Sequence, residues 1–132
     1  MNKRISKYRT GATAVEFALT LPLLLLLMFG GYELSRANMI MHTCEAAAYE
    51  GCRIGIVPGA TVADVEAATN QVLATVGVSN ATIEVNPSPI DTEDEQIAVT
   101  VEVTFADNSV LPLQFMSAGT FSRTCTLSRE AF

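Results

Sequence analysis

From Ala12 to Tyr32 only Thr13, Glu16 and Thr20 interrupt an otherwise apolar run of 21 residues. As a helix that run spans about 31 Å, the thickness of a bilayer's hydrocarbon core. Pro22 lies inside it, which a membrane helix tolerates far better than a soluble one. Lys3, Arg4, Lys7 and Arg9 precede the run with no acid among them, so the N-terminal side faces the cytoplasm. A cleaved secretory signal would have a shorter apolar core, about 7–15 residues, ended by a small-x-small site. Gly30-Gly31-Tyr32-Glu33 offers no such site. The run is therefore expected to be a retained single-pass anchor. The expected organisation is a basic leader over 1–11, a transmembrane segment over 12–32, and an extracytoplasmic domain over 33–132.

Charge is divided along the chain in the same way. Beyond residue 11 there are four basic residues (Arg36, Arg53, Arg123, Arg129) against all fourteen acids, within a formal net charge of −6. The exported part is acidic, and the basic patch of a nucleic-acid binder is missing. At 132 residues the chain has room for the anchor and one small domain.

After Tyr32 the helical pattern continues. There is no proline between Glu33 and Val57, and Leu34, Ala37, Met41, Cys44, Ala48 and Cys52 recur at steps of three or four, one stripe of a helix. Glu33, Arg36, Asn38, Glu45 and Glu50 are expected on the opposite face. One helix is thus expected from near Ala12 to about Arg53, stopped by Gly55, Pro58 and Gly59. A second starts at Thr61-Val62-Ala63-Asp64, which resembles a capping box. It carries Val62, Val65, Ala68, Val72, Leu73 and Val76 inward and closes at Gly77. Three strands follow: Thr82–Asn86, Ile97–Phe105 and Phe121–Ser128, with Arg123 and Cys125 on the same face as Phe121 and Leu127. Asp107-Asn108-Ser109 reads as a turn, and Val110 to Phe115 as an apolar loop that Pro112 keeps out of a central strand. The fold class is α+β: a long N-terminal helix, transmembrane in its first half and amphipathic in its second, packed on a small antiparallel sheet with a second helix.

Few residues offer chemistry. Glu16 is a carboxylate five positions into the apolar run, and an ionisable group in a membrane span is a functional candidate by default. A position at headgroup level would explain how it is tolerated, though not why it is there. Cys44, Cys52 and Cys125 all follow the anchor, in an oxidising compartment. Cys44 and Cys52 are two helical turns apart, about 12 Å, too far to bridge. Cys52 lies at the membrane-distal end of the stripe, where the last strand should pack, so a Cys52–Cys125 disulfide is expected. His42 and Cys44 point to opposite sides of a helix, so no metal is expected. Asp91, Glu93, Glu95 and Glu102 fit positions of a calcium loop, but Gln96 replaces its required glycine and the frame would consume the best strand; a solvated acidic loop is the better reading. With no nucleophile or phosphate-loop motif and a single histidine, neither an enzyme nor a cofactor is expected.

The residues around Glu16 carry more. Arg9-Thr10-Gly11-Ala12-Thr13-Ala14-Val15-Glu16-Phe17 resembles the processing site of type IV pilin-like proteins: a short basic leader ending in Gly, then an apolar helix with Glu at its fifth position. Ala14 to Leu24, with Val15-Glu16-Phe17-Ala18-Leu19 and Leu21-Pro22 followed by leucines, is similar to the opening of the TadE-like family, minor pseudopilins of tight-adherence (Flp) pilus systems. Gly30-Gly31-Tyr32-Glu33-Leu34-Ser35-Arg36 also looks like that family. The close resemblance spans about residues 9–36; beyond it only the layout is similar. General secretion pseudopilins usually begin the mature chain with Phe or another large apolar residue, and Ala12 departs from that. The resemblance implies a pilin-like fold, a bacterial inner-membrane location, cleavage by a prepilin peptidase between Gly11 and Ala12, and partners among other pilins, pseudopilins and the assembly platform. It also implies that the new amine of Ala12 pairs with Glu16 during assembly. A different function class, a membrane-tethered periplasmic binding module that keeps its leader, would fit the same layout.

Overall fold

The apolar run and the amphipathic stretch behind it form one helix. The computed structural model describes residues 10–91, 94–109 and 119–129, and its first element, α1, runs Thr10–Gly55, 46 residues with Pro22 inside. At 1.5 Å per residue that is about 69 Å. Pro22 has no N–H to offer the turn before it. Nearby, the Thr20 hydroxyl donates to the carbonyl of Glu16 at 3.0 Å. Residues 11–29 are exposed on every side. A stretch so apolar and so open is long and apolar enough to cross a membrane, whose hydrocarbon accepts a surface that water rejects.

Burial on α1 begins at Glu33 and proceeds through Ala37, Ile40, Cys44, Ala47, Ala48 and Cys52. This corrects the expected stripe at its membrane end. Glu33 is only 2% exposed, whereas Leu34 is 59% exposed. The contact face also carries small residues: Ala37, Ala47, Ala48, Gly51 and Gly55 let the domain approach the helix backbone, while Leu34 stays outside. Two glycines mark the closest approach. A Cβ on Gly51 would overlap the Thr69 hydroxyl, and one on Gly55 would lie 2.9 Å from a methyl of Ile97.

After the turn at Pro58 and Gly59, helix α2 (Val62–Ala74) opens with the expected capping box: the Thr61 side chain accepts from the Asp64 N–H, and Asp64 accepts from the Thr61 N–H. It buries Val65, Thr69 and Leu73. Past the Thr75 cap, Gly77 sits at φ +68°. The Val78 N–H reaches the Leu73 carbonyl and the Gly77 N–H the Ala74 carbonyl, both at 3.1 Å. That is a Schellman closure, which requires the left-handed conformation glycine adopts freely.

Strands β1 (Thr82–Asn86), β2 (Gln96–Thr104) and β3 (Thr120–Ser128) form an antiparallel sheet in the order β1-β2-β3. Register places Ile83 opposite Val101 and Val99 opposite Cys125. Ile97, Val99, Val101 and Val103 are buried against the helices; the other face of the sheet is open and polar, with Thr100 and Thr124 joined by a 2.9 Å hydrogen bond. Phe105 leaves the strand and is fully buried, edge-on to Phe121 with ring centroids 6.1 Å apart. The expected turn at 107–109 is a short 3-10 helix, Ala106–Asn108. The apolar loop expected at 110–115 and Glu93 of the acidic loop lie outside the described residues.

Candidate functional site

The sequence-derived candidates fall at two ends of one helix. Gly11, Ala12 and Glu16 occupy the first turns of α1 and are exposed; Cys52 lies some 60 Å further along the axis. Ala12 and Glu16 are four residues apart, hence neighbours on one side of the helix. At Gly11 a Cβ would meet nothing within 4 Å, and the backbone is not in the left-handed region. Among the described residues nothing asks for glycine there, in contrast to Gly51 and Gly55.

Where α1 leaves the span it is tied into the domain. The Arg36 guanidinium donates to the Val76 carbonyl at 2.9 Å and to the Asn108 carbonyl at 3.3 Å. Asn108 is itself buried, 5% exposed. Its Oδ1 accepts from the Ser79 N–H at 2.7 Å, and its Nδ2 donates to the carbonyls of Ser79 and Thr104, both at 3.0 Å. This knot fixes the base of the domain to the anchor. Sequence reasoning read Asn108 only as a turn residue and put Arg36 on the open face. At the far end Arg129 plays a similar part, donating to the Gly55 carbonyl at 3.0 Å, where the helix's last carbonyls and dipole favour a cation.

The cysteines are placed as the sheet register requires. Cys52 neighbours Cys125: its Sγ donates to the Cys125 carbonyl at 3.1 Å and to that of Ile97 at 3.5 Å. All three cysteines are free thiols, so the structure holds the expected pair side by side without the expected bond. Burial, reinforced by the Cys125 side chain, pushes the Cys52 thiol up to about 12. Burial also raises Cys44, which the nearby positive Arg123 partly offsets. His42 is on the exposed side of α1, 3.8 Å from Glu45. Among the described residues no three His, Cys, Asp or Glu side chains gather into a metal-binding group. Glu102 stands on β2, exposed, away from the acidic loop.

Residues 11–53 match the family model described as TadE-like protein. Over that helix the chain is similar to TadE-like proteins. The match begins at Gly11 and ends at Arg53, two residues short of the end of α1, so the shared element is the anchor with its continuation into the domain. TadE-like proteins are components associated with the tight-adherence pilus, and the single apolar helix near the N-terminus fits a single-pass membrane protein of such a system. No curated protein and no solved structure matches the chain significantly.

Proposed function

We propose that this TadE-like chain is a minor pseudopilin of a tight-adherence pilus. It is held in the bacterial inner membrane with its N-terminus in the cytoplasm and its α+β domain on the far side. A prepilin peptidase removes residues 1–11, and the processed subunit joins or primes the pilus through its helix. The observation that carries this reading is the match of residues 11–53 to the TadE-like family model, which starts at Gly11. Glycine there would let a protease approach the backbone closely.

Cleavage would give Ala12 an ammonium one helical turn from the Glu16 carboxylate. At about 4 Å such a pair gains roughly 4 kcal/mol at an effective dielectric of 20, before desolvation is charged against it. Formed between neighbouring subunits, it would fix their axial register as each helix leaves the bilayer. The exposed apolar surface of residues 11–29 would then pack against other pilin helices.

The test is a Glu16→Ala variant. It should insert in the membrane at the normal level, yet fail to co-purify with other pilus components and leave cells without pili. Normal piliation would show the carboxylate to be incidental and would contradict this assembly role.

A further inference from the structure

β3 is the edge strand of the sheet, bonded to β2 alone. Its inward side chains, Phe121, Arg123, Cys125 and Leu127, are therefore half-buried, whereas those of β2 are fully buried. Cys125 thus has neighbours of two kinds. On the inside stands Cys52, whose Sγ donates to the Cys125 carbonyl at 3.1 Å. On the outside Cys125 lines a groove of about 410 Å³ between α1 and β3, with His42, Glu45, Ala46, Tyr49 and Arg123. Ala46 and Tyr49 are exposed, so the groove opens to solvent.

The three thiols differ in access for this reason. Cys44 and Cys52 are each 0% exposed, and of the three only Cys125 borders the groove. Thiol–disulfide exchange requires the attacking sulfur to reach the disulfide and to be ionised. Cys52 meets neither condition: it lies beneath the carbonyls of Ile97 and Cys125, and burial pushes its thiol up to about 12. A volume of this size is enough for a small peptide-like molecule.

We propose that Cys125 is the entry thiol for oxidation of this domain: a small disulfide reaches it through the groove, and Cys52 resolves the adduct from inside. In the first step the Cys125 thiolate attacks the oxidant R–S–S–R. A Cys125–S–S–R mixed disulfide forms and one thiolate RS⁻ leaves. In the second step the Cys52 sulfur attacks the Cys125 Sγ, the Cys52–Cys125 bond forms, and the second RS⁻ leaves. The departing thiolates take up the two protons lost by Cys125 and Cys52, so the oxidant gains two electrons and ends as two RSH. Cys52 is suited to the second step although not to the first. Its target sulfur is already beside it, which replaces a bimolecular encounter by an intramolecular one. The Cys125 thiol, which helps to raise Cys52, has also been consumed. Cys44, buried and without the groove, stays reduced.

The test uses the reduced full chain in lipid nanodiscs, with glutathione disulfide at pH 8 as the oxidant and mass spectrometry of acid-quenched samples as the readout. Wild-type chain should gain the Cys52–Cys125 bond and keep no adduct. Cys52→Ser should hold one glutathione on Cys125. Cys125→Ser should take up glutathione more than about tenfold more slowly, because its two remaining thiols are reached only when the domain opens. Ala46→Trp, which fills the groove from an exposed position, should slow the wild-type reaction without lowering the melting temperature. The proposal is overturned if Cys52→Ser takes up no glutathione at Cys125, or if Cys125→Ser reacts at Cys52 or Cys44 as fast as Cys52→Ser does at Cys125. An unchanged rate in Ala46→Trp would overturn it equally, because the oxidant would then enter by another route.

Discussion

The Cys52 thiol stands 3.1 Å from the carbonyl oxygen of Cys125, joining helix and last strand across 73 residues of chain. In an oxidising compartment this pair is expected to close. The bond would shut a loop of that length and stabilise the domain by about 4 kcal/mol on a loop-entropy basis. Mass spectrometry of non-reduced protein after alkylation should find one modified cysteine, Cys44, and reduction should lower the melting temperature. Three alkylated thiols in protein taken from the periplasmic side would contradict this.

In the reduced protein the same burial sets a pH dependence. The Cys52 thiol lies at about 12 in the folded chain and near 8.5 when unfolded. A raised folded value gives stability that is complete below about pH 8.5 and declines as pH rises toward 12, because the unfolded chain ionises first. Alkylation at pH 8 should therefore modify half-buried Cys125 before Cys52 or Cys44.

Gly51→Ala tests the close approach of α1 and α2. Helix propensity alone would favour alanine by about 1 kcal/mol. The added methyl would overlap the Thr69 hydroxyl, which is buried and donates to the Val65 carbonyl at 2.8 Å. Overpacking of this kind costs about 1–3 kcal/mol, so the variant should have a lower melting temperature. Gly31→Ala, where the methyl meets nothing, should leave domain stability unchanged or slightly higher.

The capping box gives an acid-side prediction. Thr61 hydrogen bonds hold the Asp64 carboxyl below its usual range. A depressed folded value means stability present at neutral pH and lost as pH falls through the carboxylate range. Thr61→Ala should cost about 1 kcal/mol and flatten that acid-side loss; an unchanged acid profile would show the cap to be incidental.

The elements that local chemistry dictates were legible in the sequence. Strict alternation located β1, β2 and β3 to within a residue at each end. Thr61 with Asp64, and Gly77, marked the limits of α2, and the unbroken spacing from Ala12 onward predicted a single helix through membrane and domain. The orientation of α1 at its exit from the span was not legible. Polarity places Leu34 in the core and Glu33 at the surface, and the tertiary packing of the helix reverses them. The knot of Arg36 and Asn108 was equally hidden, since its partners at Val76 and Ser79 are remote backbone groups that leave no trace in composition. At the start of α1 the reverse holds: Gly11 and Glu16 stand out in the sequence, while the described residues give neither side chain a partner.

Asn108→Ala should show how firmly the domain is tied to its anchor. It strands the part-buried Ser79 N–H and two carbonyls, and each group left unsatisfied costs at most about 1–3 kcal/mol. A marked fall in the melting temperature is expected, together with faster amide exchange at Val76 to Ser79. A wild-type melting curve would mean that Arg36 holds the base of the domain alone.

The central claim, processing into a pseudopilin, is tested most directly by the N-terminus of the membrane-extracted protein. Intact mass and N-terminal sequencing should give a chain starting at Ala12, and a Gly11→Leu variant should retain residues 1–11. A wild-type chain that keeps its leader, or begins anywhere but Ala12, would contradict the account.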